Sequence, residues 1–109
     1  MRRVEKPWGF ELIWAETEHY VGKLLHINAG QRLSKQYHDI KEETVYVISG
    51  VLHNYDAQDK LQRIMPNEVL HVTPGQIHRF AAGTSAVEII EVSTPHLDDV
   101  VRLADDYKR

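Results

Sequence analysis

Apolar and polar residues alternate in short runs along the chain, and turn signals cut those runs roughly every 8–12 residues. Phe10 to Trp14 is the first run, with an aromatic at each end, and Tyr20 to Asn28 is the second. Leu33 to His38, Thr44 to Ile48, Val51 to Tyr55 and Lys60 to Met65 follow, then Glu68 to Val72, Ile77 to Ala81 and Ala86 to Ser93. Alternation with β-branched and aromatic residues predicts strands. The breaks fall at Gly30, Ser49–Gly50, Ala57–Gln58–Asp59, Pro66–Asn67, Thr73–Pro74–Gly75–Gln76 and Gly83–Thr84–Ser85, residue types that favour turns. Glu5 to Gly9 reads as a stiff entry segment, with φ fixed at Pro7. No window offers a long amphipathic helix. The tail from Leu97 fits two patterns: Leu97, Val100, Val101 and Ala104 suit one side of a short helix, and Val100 to Leu103 suits an edge strand. About eight to ten short strands predict an all-β sandwich or barrel.

Composition narrows this picture. The 109 residues make one domain, with a core small enough that dimerisation is expected. Apolar content of 42% and charged content of 27% fit a globular protein. A net charge of -3 carries no electrostatic footprint for nucleic acid. With no Cys, a metal site must use imidazole, carboxylate or amide ligands. The N-terminus is basic without an apolar stretch behind it, and no apolar run approaches the ~18 residues of a membrane span. A cytoplasmic location with no membrane partner is the expectation.

Candidate chemistry concentrates between Gly30 and Gly50. Gln36 and His38 lie two apart, so on a strand they project to one side. If Asp39 to Glu42 forms a hairpin loop, His38 faces Glu43 across the ladder at a Cβ separation of about 4.5–5.5 Å. His78, after the Pro74–Gly75 turn, joins them only if the sheet curls over. A barrel therefore predicts one metal ion on Gln36, His38, Glu43 and His78. The other five histidines, His71 among them, have the plainer reading of surface or packing residues.

The spacing resembles the cupin superfamily. Gly30, five residues, Gln36–Tyr37–His38, four residues, Glu43, six residues and Gly50 repeat its first motif, with Gln in place of the first His. Residues 67–82 are similar to the second motif at Gly75 and His78, while Asn67, Thr73 and Ala82 replace its Gly, Pro and Asn. The Gln-x-His variant resembles the phosphomannose isomerase branch. Likeness to the C-terminal mannose-6-phosphate isomerase domain of bifunctional mannose-1-phosphate guanylyltransferases runs nearly end to end. It includes Lys6–Pro7–Trp8–Gly9, Gly30 to Ser34, Pro74 to Arg79, Asp98 to Arg102 and Asp105–Asp106–Tyr107.

The resemblance implies a single-domain cupin, a double-stranded β-helix or jelly-roll barrel over residues 1–109. It implies one divalent ion (Zn, Mn, Fe, Co or Ni) and aldose–ketose isomerisation of a sugar phosphate. No guanylyl transfer is implied. Such chemistry needs a base, for which Lys35 and His71 are nominated, although strand parity points Lys35 away from Gln36 and His38. It needs a phosphate anchor, for which Arg79 and Arg32 match family positions. A homodimer is implied, pairing through the edge of the aromatic N-terminal strand. The alternatives are a non-catalytic metal- and sugar-binding cupin and a metal-dependent oxygenase.

Overall fold

The computed structural model describes residues 1–108 and contains eleven strands: β1 (Arg2–Lys6), β2 (Gly9–Glu16), β3 (Val21–Ile27), β4 (Lys35–Tyr37), β5 (Glu43–Ser49), β6 (Leu52–Tyr55), β7 (Leu61–Ile64), β8 (Val69–Val72), β9 (Arg79–Ala82), β10 (Val87–Ser93) and β11 (Val101–Ala104). One layer is a six-stranded sheet in the order β1-β2-β3-β10-β5-β8. The other combines β7-β6-β9 with the pair β11-β4, and single bridges Gln36–His78 and Arg32–Ala81 join β4 and its approach to β9. Every ladder is antiparallel. No helix among the described residues is long and apolar enough to cross a membrane.

Alternation explains the layering. On β10, Val87, Ile89, Glu91 and Ser93 point inward and are buried. On β5 the inward set is Glu43, Val45 and Val47. These positions meet Leu25, Ile27, Leu52, Ile64, Phe80 and Trp8 in one apolar core. Trp8 is only 2% exposed. The ionisable inward positions all lie toward one end of this interior, and the metal candidates are there.

Two sequence expectations change, and one open alternative is decided. The entry segment is not a mere lead-in: Arg2 to Lys6 forms β1 and covers β2, so the aromatic strand is not an edge. The exposed edge is instead charged, which blunts edge-to-edge pairing. The tail resolves to an edge strand, with β11 hydrogen-bonded to β4. Residues 39–42 are not a hairpin loop, because β4 pairs with β11 whereas β5 pairs with β10 and β8. That connection crosses from one layer to the other.

The motif turns require left-handed backbone. Asn67 stands at φ 70° in place of the motif glycine, donates its N–H to Val47 O at 2.8 Å and accepts from the Tyr46 hydroxyl at 2.6 Å. Gly50 stands at φ 76°, and an added Cβ would lie 2.3 Å from Ala86 O. Gly75 has a similar φ of 80° with nothing within 4 Å. Gly75→Ala should therefore cost about 1–2 kcal/mol from backbone strain alone. Gly50→Ala should cost about 3 kcal/mol or more, since strain and overpacking add. Urea unfolding of the two variants checks the difference, and equal midpoints would refute the steric account.

Candidate metal centre

His38 follows β4 directly, His78 precedes β9, and Glu43 opens β5. Gln36 and His78 exchange both backbone hydrogen bonds, at 3.0 and 2.9 Å, which fixes the two chain segments side by side. The crossing connection then carries the chain over to Glu43. The Asp99 carboxylate holds that connection, accepting the N–H groups of Asp39, Ile40 and Lys41 at 3.0, 2.7 and 2.8 Å.

The result is a buried triad. His38 is 2% exposed, Glu43 3% and His78 1%. One ligand atom from each lies within 4.8 Å of the others. Glu43 Oε1 is 3.8 Å from His38 Nε2 and 3.5 Å from His78 Nε2.

Both imidazoles are orientated through their far nitrogens. His38 Nδ1 donates to Asp99 O at 2.5 Å, and His78 Nδ1 donates to Gln76 O at 3.0 Å. A carbonyl only accepts, so each Nδ1 carries the proton in the neutral ring and each Nε2 presents a lone pair. Neither Nε2 has a hydrogen-bond partner among the described residues, and both are sealed from solvent. Orphaned, convergent imidazole nitrogens with fixed tautomers are what a divalent cation needs. These residues fit a metal. Gln36 lines the same cavity, and its Oε1 accepts from the buried Ser34 hydroxyl at 2.6 Å, leaving that oxygen a second lone pair.

A network of buried charge surrounds the triad. Lys41 Nζ is 2.9 Å from Glu43 Oε2 and 3.1 Å from Glu91 Oε2. Glu43 thus turns one oxygen to the imidazoles and the other to the ammonium. Lys23 Nζ reaches both Glu11 oxygens, at 3.3 and 3.4 Å. Burial drives Glu43 upward, but His38, Lys41 and Glu91 outweigh it and hold the carboxyl below the usual range. Burial and the Glu43 charge push Glu91 the other way, up to about 7, against the pull of Lys41 and Lys23. Burial would lower Lys41, yet Glu91 and Glu43 hold it above the usual lysine value. Burial lowers His78, which favours the neutral, ligating ring.

All five charged residues line one cavity of about 90 Å³ with Trp8, Gln36 and His38. Its partly exposed rim includes Lys6, Leu97, Val100 and Arg102.

The structure brings together His38, Glu43 and His78, with Gln36 beside them. It does not bring Lys35, His71, Arg79 or Arg32 to the cavity. Lys35 Nζ bonds Ala57 O and Asp59 Oδ1, both at 3.1 Å, on the side that strand parity assigns it. His71 is exposed on the outward face of β8 and pairs with Glu42 at 2.5 Å. Arg79 alternates with the inward His78 and Phe80, so it faces outward, bonding Leu33 O at 2.9 Å and Asp106 Oδ1 at 3.1 Å. Arg32 grips the same Asp106 at 2.6 and 3.0 Å. Sequence reasoning missed Lys23, Lys41, Glu11 and Glu91. For Glu11, Lys23 and Glu91 the signal was present: each is a charge at an inward position of an alternating strand.

Comparison with known proteins shows the family and the fold. The family described as mannose-6-phosphate isomerase C-terminal matches residues 1–105. A mannose-1-phosphate guanylyltransferase of Salmonella montevideo is 30% identical over 112 residues, covering 99% of this chain and 24% of the relative. The chain spans about a quarter of the length of the curated relatives it matches. Two solved structures share the fold at 20% identity. A double-stranded β-helix protein from Klebsiella pneumoniae has a TM-score of 0.76, covering 85% of this chain and 77% of its own. A cupin-superfamily sugar phosphate isomerase from Silicibacter pomeroyi has a TM-score of 0.70, covering 78% and 58%. The fold is therefore the cupin double-stranded β-helix.

The Asp99 carboxyl is held down to about 2 by its backbone donors Ile40, Lys41 and Asp39. Its folded value lies below the unfolded one, so its contribution is complete above about pH 4 and is lost as pH falls toward 2. Asp99→Asn should be less stable than the parent at pH 6, and the gap should close on acidification. Urea midpoints from pH 6 to 2 measure this; a gap that stays constant would refute the role given to the carboxylate.

Proposed function

Because the chain belongs to the mannose-6-phosphate isomerase C-terminal family, we propose that it is a metal-dependent isomerase interconverting an aldose phosphate, such as mannose 6-phosphate, with its ketose. The observation that carries this reading is the pair of orphaned, tautomer-fixed imidazole nitrogens facing Glu43, which lines a cavity together with His38, Lys41 and Glu91. His38, Glu43 and His78 would hold the ion, with the Gln36 amide oxygen as a fourth ligand. Their N/O set suits Zn²⁺, Mn²⁺, Fe²⁺, Co²⁺ or Ni²⁺. A divalent ion there supplies a Lewis acid for the sugar carbonyl. Isomerisation moves one proton from O2 to O1 of the open-chain sugar and another from C2 to C1. Glu91, near neutrality in its affinity for protons, is the group in the cavity suited to accept and return it. Lys41, held cationic by its two carboxylates, keeps Glu91 and Glu43 in place.

One observation favours a second reading, a cupin that holds a metal and a sugar without turnover. The cavity's 90 Å³ falls below the ~300–1,000 Å³ of ordinary ligand pockets. Chelated and remetallated protein, assayed for conversion of mannose 6-phosphate to fructose 6-phosphate, separates the two. Activity should return with one equivalent of metal. Glu43→Gln and His78→Ala should each lose metal and at least ~100-fold in kcat/KM. Bound metal with no turnover across hexose and pentose phosphates would reject the isomerase and favour the binding module. Oxygen uptake by the iron-loaded form would point instead to an oxygenase.

We also propose a homodimer, through a face rather than an edge. Leu12, Leu24, Ile90, Tyr46 and Val69 are successive cross-strand neighbours on the outer side of the six-stranded sheet. Trp14 and Val92, 47% and 49% exposed, continue this apolar surface, where an antiparallel sheet facing water usually carries polar residues. Light scattering should give twice the 12.6 kDa chain mass, and Val92→Lys should give a folded monomer. A monomeric parent at 100 μM would exclude the pairing.

A further inference from the structure

We propose that Lys6 and Arg102 form an anion subsite at the rim of the metal cavity, taking the phosphate of a phosphorylated open-chain sugar. This deepens the isomerase reading and rests on it for the identity of the sugar end.

Most cations in and around the cavity are already neutralised. Inside the cavity, Lys23 is paired with Glu11, and Lys41 with Glu43 and Glu91. Arg32 and Arg79 share Asp106, and Lys35 holds Asp59. Lys6 and Arg102 also line the cavity, yet neither makes an ion pair or side-chain hydrogen bond among the described residues. The cavity lining thus carries four cations against three carboxylates, and the surplus sits at the solvent end.

Register places both side chains toward the cavity. Arg102 is opposite Gln36, and Gln36 is opposite His78, so the three share one face across β11, β4 and β9. Two strand spacings, about 9–10 Å, separate the Arg102 backbone from that of His78. An open-chain hexose phosphate can bridge such a gap, with its carbonyl end at the triad and its phosphate at the rim. On β1, Val4 is opposite the inward Glu11, and Lys6, two residues on, projects to the same side. Arg102 supplies a planar fork and Lys6 a compact charge, a complementary pair for a phosphate dianion. Leu97 and Val100 flank them with apolar surface, which reduces competition from water.

Calorimetric titration of the metal-loaded protein with inorganic phosphate, mannose 6-phosphate, mannose and glucuronate tests this. In Lys6→Gln and Arg102→Gln, mannose 6-phosphate and phosphate should bind at least tenfold more weakly, with mannose unchanged. Thermal unfolding should match the parent, since neither side chain is in the core. Equal affinity of parent and double variant for mannose 6-phosphate would overturn the subsite. Glucuronate binding as tightly as mannose 6-phosphate, with the same dependence, would overturn its assignment to phosphate. Phosphate binding that depends on Lys6 and Arg102, without turnover, would leave the subsite standing and remove the isomerase. Turnover of mannose 6-phosphate at parental KM by the double variant would do the reverse.

Discussion

A single carboxylate joins the two layers at the metal centre. Asp99, in the connection between β10 and β11, accepts three consecutive backbone N–H groups from residues 39–41 while its own carbonyl accepts from His38. Without a partner, those N–H groups would leave the crossing segment free to move. With it, His38 at the end of one strand and Glu43 at the start of the next are held in different sheets but within 4 Å of each other. The imidazole tautomer, the position of Glu43 and the reach of Lys41 all depend on the path of this short connection. Hydrogen bonds to a charged acceptor are strong enough to impose such a path.

Buried charge is the cost of the centre, and it is offset locally. Glu43 alone among apolar neighbours would be heavily penalised. Lys41 forms an ion pair with one oxygen, Glu91 shares Lys41, and Lys23 with Glu11 extends the alternation of sign across the sheet. Lys23 is directly opposite Glu91 on the neighbouring strand, so even the two pairs are in electrostatic contact through the ladder. Replacing any one member alone leaves an uncompensated charge, whereas the set as a whole is tolerated. The same arrangement separates two neighbouring carboxylates into one held low, Glu43, and one held high, Glu91.

Much of this was legible in the sequence, but not by the route the spacing suggested. Period-two alternation located most of the strands, and the two motif spacings identified His38, Glu43 and His78. The hairpin invoked to bring His38 to Glu43 does not exist; those residues converge because β4 and β5 belong to opposite layers. Local spacing can encode a distance without revealing which backbone path produces it. β1 was missed because Arg2 to Lys6 lacks apolar alternation, and its pairing to β2 is set by the ladder. Arg32 and Arg79 matched family positions, yet their partner is Asp106, at least 27 residues away in sequence. No local pattern reports such a partner.

That displacement has a structural logic. Asp106 ties the tail to Arg32 and Arg79, and the Tyr107 hydroxyl bonds Gln31 at 2.6 Å. The tail is thereby anchored beyond β11, and β11 lies against β4, the strand that carries Gln36. The two arginines lie away from the cavity and tie down the segment that follows β11, the strand that carries Arg102. A fold shared at 20% identity with other solved structures specifies the barrel and does not by itself fix a function. The rim of the cavity is built in part from the first strand and the last, through Lys6 and Arg102. The terminal segments, whose periodicity was least informative, therefore supply the unpaired cations that line the cavity.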